Sequence, residues 1–219
     1  TARRLSVVLL TGLLLATTAG AQSKLVSSKE YYEAVDKRPE VDWDERVRRV
    51  ETTRDEMRDG VVVKSLISVS EVLLPDRQRH YSKLVESGKT TETEEIRITH
   101  FLYTRTNGGA WTKFDLRKPG SGSGYGSGGG SGSGRMTCTQ YSIEPTVING
   151  TPVNLYQKIV LYTQRNEIVF EEHRKWLTAE GLIYREEQIE GAAYPRMETL
   201  RNIVTYDYPT DLKIEAPIP

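Results

Sequence analysis

Residues 175–187 read KWLTAEGLIYREE, and the reading of this stretch decides the fold. Trp176 and Leu177 close one apolar run, and Leu182, Ile183 and Tyr184 open the next. Between them, Thr178-Ala179-Glu180-Gly181 has the composition of a reverse turn, and Gly181 can adopt the positive φ that a tight hairpin needs. The second arm becomes charged at Arg185, Glu186 and Glu187. The stretch is therefore two antiparallel strands joined by a turn.

The same grammar recurs on both sides of it. Residues 61–74 (VVVKSLISVSEVLL), 77–86 (RQRHYSKLVE), 94–105 (EEIRITHFLYTR) and 110–114 (AWTKF) read as strands, the last two separated by the turn Asn107-Gly108-Gly109. Residues 136–143, 153–163, 168–177, 182–190 and 198–208 follow in the same style, with Asn149-Gly150 marking another turn and 212–216 a short segment fenced by prolines. The run at 61–74 is longer than an average strand and is expected to bend or bulge. Gly and Ser fill 119–134 almost completely. Such a tract buries nothing, so it is expected to be a flexible hairpin tip inside one domain.

One segment follows a different period. Asp42 can cap a helix, with Glu45 three residues on, and Trp43, Val47, Val50 and Met57 fall on one face of a 3.6-residue repeat that ends at Gly60. The spacing predicts a helix over 42–59. Residues 22–39 are polar apart from Tyr31 and Tyr32, and suit a short helix or an arm. The fold class is then α+β: a strongly curved antiparallel sheet of ten or eleven strands, an unclosed β-barrel, under a helical lid.

A chain of 219 residues suits one domain. Residues 1–21 are read as a signal peptide: Arg3 and Arg4 form a basic start, 5–16 are an apolar run too short to span a bilayer, and Ala19-Gly20-Ala21 offers a cleavage site before Gln22. No cysteine lies near that site, so a periplasmic protein without a lipid anchor is expected. Removing two arginines from 30 basic residues leaves 28 against 30 acidic ones, a net charge of −2. That balance argues against nucleic acid as a partner. Cys138 is the only cysteine, so it forms no internal disulfide and is expected to be a small buried hydrophobe.

Chemistry-bearing patterns are sparse. The Gly/Ser tract nowhere completes Gly-x-Ser-x-Gly, and its one Gly-x-Gly-x-x-Gly match, at Gly124, Gly126 and Gly129, is followed by no helical pattern. His80, His100 and His173 lack the spacing of a zinc site. Neither a catalytic residue, a metal nor a cofactor is expected.

The order of motifs does resemble a family. Glu95-Ile96-Arg97-Ile98, Leu102-Tyr103-Thr104-Arg105, Asn107-Gly108-Gly109 and Trp111 come in sequence. They are followed by Trp176-Leu177-Thr178-Ala179-Glu180-Gly181-Leu182, by Asn202-Ile203-Val204-Thr205-Tyr206-Asp207-Tyr208 and by Leu212-Lys213-Ile214. Over 61–216 this order resembles the bacterial LolA/LppX/RseB superfamily of envelope proteins. The resemblance implies an eleven-stranded unclosed barrel capped by helices that binds the acyl chains of lipids or lipoproteins. The Gly/Ser tract departs from that pattern, and no counterpart of the carrier branch's lid arginine stands out.

The implied function is a monomeric, non-enzymatic, extracytoplasmic protein that shelters an acyl chain in an apolar cleft, in peripheral contact with membranes and carrying its cargo toward the outer membrane. The alternative is a periplasmic sensor of the same fold that binds an envelope protein partner. Trp43, Val47, Val50 and Met57 on the expected helix are candidates for the cavity lining. Ile98, Tyr103, Trp111, Tyr156, Val160, Trp176 and Tyr206 on the strands complete the set.

Overall fold

The computed structural model describes residues 23–36, 48–117, 135–209 and 211–218, the side chains of Arg48 and of residues 135–137 excepted. Among the described residues the chain forms one twelve-stranded sheet and one short helix. In chain order these are β1 (Lys24–Leu25), α1 (Ser28–Val35), β2 (Arg48–Arg58), β3 (Val61–Leu73), β4 (Arg77–Glu86), β5 (Lys89–Ile98) and β6 (Phe101–Thr106). Then follow β7 (Thr112–Asp115), β8 (Arg135–Ile148), β9 (Thr151–Gln164), β10 (Glu167–Leu177), β11 (Ile183–Ala192) and β12 (Met197–Asp207). Every pairing is antiparallel, in the order β1-β8-β9-β10-β11-β12-β2-β3-β4-β5-β6-β7, and the sheet does not close into a barrel.

The sheet is two meanders, β2–β7 and β8–β12, joined where β12 pairs with β2. Short turns set the registers. Asp59-Gly60, Asn149-Gly150 and Arg165-Asn166 each place two consecutive residues at positive φ. Mirror-image turns of this kind match the right-handed twist of the strands they join. Gly181, at φ 80°, closes the β10–β11 hairpin, where the Gly181 amide donates to the Thr178 carbonyl at 3.0 Å.

The predicted helix over 42–59 is overturned. From Arg48 onward the chain is strand, paired with β12 on one side and β3 on the other. The helical stripe was sparse, with Val50 and Met57 its only members in this region, and Thr52 and Thr53 are β-branched. Two neighbouring strands each offer a full ladder of backbone hydrogen bonds, which an isolated helix with a narrow apolar face cannot match. Trp43 and Val47 lie outside the described residues. The helix that does lie over the sheet is α1. The single strand expected over 94–105 is two, β5 and β6, with Thr99 at positive φ between them.

The Gly/Ser tract lies outside the described residues, but the strands on either side of it are not neighbours. β7 is one edge of the sheet and β8 adjoins the other. The tract therefore connects the two meanders rather than the arms of a hairpin. Cys138, expected to be buried, is exposed. β1 covers β8 only at Ser142 and Ile143, so Cys138 stands on an open stretch of that edge.

Register divides the side chains between two faces. Tyr156, Lys175, Glu186, Val204, Thr52, Ser68, Ser82 and Thr93 lie directly opposite one another across eight strands and share one face. α1 packs on this face: Tyr31, 5% exposed, seats on Tyr156 and Leu177, with Tyr141 and Ile143 beside them. The opposite face carries a second cluster, in which the C-terminal segment lays Ile214, 1% exposed, against Ile96 and Tyr103. Arg77 Nη1 donates to the Ile214 carbonyl at 2.8 Å and fixes that segment in place. Further along this face, Phe170, Ile189 and the carboxylate of Glu172 are buried. One helix and one extended segment thus cover the sheet from opposite sides, at opposite ends.

Candidate functional site

Ser27 begins α1 by accepting from the Glu30 amide through Oγ at 3.2 Å, while Glu30 Oε2 accepts from the Ser27 amide at 2.8 Å. This reciprocal cap satisfies donors that the first helical turn leaves free. A helix of eight residues is too short to be stable alone, so its place is set by what it buries. That is chiefly Tyr31, whose ring centre is 4.9 Å from that of Tyr141 and 6.3 Å from that of Tyr156. Burial, helped by Tyr32, Tyr141 and Glu186, pushes the Tyr31 phenol up to about 12.

Seating α1 on Tyr141 and Tyr156 leaves a trough of about 300 Å³ beside it, over β9 to β12. Tyr31, Tyr32 and Val35 form its roof. Its floor is polar: Lys158, His173, Gln188 and Asn202 lie in one cross-strand row, with Lys175, Glu186 and Val204 in the next. Lys175 Nζ pairs with Glu186 at 2.9 Å, and His173 Nε2 contacts Glu171 Oε1 at 2.6 Å. The arrangement is amphipathic, apolar above and hydrogen-bonding below. Among the described residues, no group of three or more His, Cys, Asp or Glu stands close enough to hold a metal.

The predicted lining residues do not converge. Val50, Tyr156, Val160 and Tyr206 share the face under α1, and Tyr206 Oη donates to Glu186 at the trough's wall at 3.1 Å. Ile98, Tyr103 and Trp176 belong to the opposite face. Trp111 packs with Ile98 and Tyr103 beneath the C-terminal segment, and the Arg105 guanidinium lies 4.6 Å from its ring centre. Trp176, 9% exposed, is covered by Arg185. Met57 follows a register shift in β2.

Sequence reasoning missed the trough's own residues, Tyr31, Tyr32, Val35, Lys158 and His173. The signal for α1 was present as Ser27-Ser28-Lys29-Glu30, a Ser-x-x-Glu pattern ahead of Tyr31 and Val35 at helical spacing.

Among solved structures, the chain is similar to a LolA superfamily protein of Nitrosomonas europaea. The two are 10% identical, the match covers 86% of this chain and 96% of the other, and the TM-score is 0.28. No protein-family model and no curated protein matches the chain. The likeness is a distant one and concerns the fold alone.

Proposed function

We propose that this protein binds an acyl chain outside the cytoplasm and shelters it beneath α1. The observation that carries the reading is the trough: a helix propped on tyrosines leaves an apolar roof over about 300 Å³ of space. That volume is at the small end of small-ligand pockets, roughly 300–1,000 Å³, so it suits one chain rather than several. Each methylene taken from water contributes about 0.8 kcal/mol, so about eight of them supply some 6 kcal/mol. The leader-like pattern at 1–21 and the family-like order of motifs support export to the periplasm and a role in moving or sensing lipid. The test is to express the full chain with its leader in a Gram-negative host, extract the purified protein with organic solvent, and titrate it with a fluorescent acyl probe. Co-purified lipid and saturable, one-to-one probe binding are expected. Clean extracts and no saturable binding would overturn the reading.

One observation favours a protein partner as the second reading. Val62, Val63 and Val85 are exposed where the β2–β3 and β4–β5 hairpins end, around a depression of about 610 Å³. Recovery of one stoichiometric protein, lost with Val62→Asp, would support that sensor-like role.

A further inference from the structure

We propose that the trough beneath α1 takes the anionic head of a long-chain amphiphile, with Lys158 as the counter-charge. This rests on the acyl-binding reading and narrows its ligand. The cations around the trough differ in one respect. Lys175 is held by Glu186 at 2.9 Å. Arg174 belongs by register to the opposite face, where it pairs with Glu172 and Glu187. Lys158 has no carboxylate and no hydrogen-bond acceptor among the described residues.

Glu171 is the nearest other carboxylate on this face by register, and it already accepts from His173 and Gln188. Glu190, opposite Glu171, is taken up by Gln188, so among the described residues Lys158 is the one charged group of the floor left without a partner. An ammonium lining the trough without a carboxylate beside it favours an anion that can accept a charge-assisted hydrogen bond from it.

The two ends of the trough suit the two ends of an amphiphile. Lys158 stands on β9, opposite Tyr141 and His173 in the ladder. Val204 stands on β12, three strands away, a span of about 14 Å at the usual strand spacing. Gln188 between them donates its Nε2 to Glu190 at 2.8 Å and to Glu171 at 3.3 Å, so that donor is already occupied. A carboxylate or phosphate monoester at Lys158 leaves the tail to run under Tyr32 and Val35 toward Val204.

The experiment is calorimetric titration of the full chain near pH 7 with palmitate, hexadecanol and inorganic phosphate, repeated on Lys158→Met and Lys158→Arg. Lys158→Met is expected to weaken palmitate about tenfold, as loss of a hydrogen bond to a charged group does, and to leave hexadecanol within twofold. Lys158→Arg should restore palmitate, and phosphate alone should bind far more weakly than palmitate. Equal losses for palmitate and hexadecanol, no loss for either, or phosphate binding as tightly as palmitate would overturn the assignment while leaving acyl binding in place. If the unaltered protein bound neither palmitate nor hexadecanol, the acyl-binding reading would itself fail, and this assignment with it.

Discussion

Gln157 Nε2 donates to Glu172 Oε1 at 2.6 Å, from β9 to β10, on the face opposite α1. Glu172 is 1% exposed and also accepts from Arg174 and from Arg196, whose guanidinium lies 4.2 Å from the centre of the Phe170 ring. A loop residue, a strand charge and a core aromatic are thereby tied to one carboxylate.

Removing that carboxylate leaves Gln157 and Arg196 without their acceptor and Arg174 with Glu187 alone. Burial raises the Glu172 carboxyl, but hydrogen bonds from Arg196 and Gln157 and the charge of Arg174 outweigh it and hold the group below its ordinary range. Glu172→Ala is expected to cost about 2 kcal/mol, because it removes an acceptor shared by Gln157, Arg174 and Arg196, while Arg174 keeps Glu187. Urea unfolding at pH 7 measures it. A depressed carboxylate contributes stability that is present above its unfolded pKa and lost as pH falls through its folded one. The difference between the parent and Glu172→Ala should therefore shrink below the ordinary carboxylate range.

Tyr31 governs the alkaline limb. Its phenol titrates near 12 in the folded chain against 10.0 without burial, so the folded state holds the proton more tightly. Stability is full below pH 10 and falls between 10 and 12, by roughly 2–3 kcal/mol for a shift of this size. Tyr31→Phe should be close to neutral at pH 7 and should flatten that decline. Denaturant midpoints at pH 7 and pH 11 test both halves.

Ser27→Ala removes the side-chain half of the α1 cap. A loss of about 1 kcal/mol is expected, confined to the helix. Hydrogen exchange should quicken across 28–35 while β9 and β10 stay protected. Acyl-probe affinity should fall with it, since the trough's roof is the helix itself.

Gly191→Ala should be the most damaging single methyl in the sheet. A Cβ at this position meets the Met197 carbonyl oxygen at 1.9 Å, at the register shift between β11 and β12. The neighbour is backbone and cannot rotate away, so a cost of about 3 kcal/mol is expected from overpacking. Thermal unfolding measures it, and a change below 0.5 kcal/mol would mean that the β11–β12 pairing lies elsewhere.

Arg165 occupies the left-handed region at φ 51° in a two-residue turn without glycine. Arg165→Gly relieves that conformation by more than glycine's added unfolded-state entropy takes back, so a gain of about 0.5–1 kcal/mol is expected. Chemical denaturation checks the sign.

Local chemistry made the strands readable. Turn pairs such as Asn107-Gly108 and Asn149-Gly150 announce themselves because few residues accept positive φ, and the 77–86 strand was bounded to the residue. The hairpin at 175–187 formed as read, with a register shift between Trp176 and Leu177 that composition does not signal. Residues 48–58 misled because Val50 and Met57 continue a helical spacing from Trp43 and Val47 among charges that fall on both pleat faces. In a single-layer sheet both faces meet water, so alternation fades and pairing partners decide.

The amino-acid order by itself determined the class of the molecule: many amphipathic strands, tight mirror-image turns, and too few apolar residues for a thick core. Only the tertiary structure decided which strands adjoin, that β12 meets β2, and which face each side chain serves. Tyr156 and Trp176 were indistinguishable as candidate lining residues, yet they stand on opposite faces. The reason is periodicity. A strand assigns alternate residues to alternate faces, but which face is covered depends on contacts made far away in sequence, by Tyr31 on one side and by Ile214 on the other.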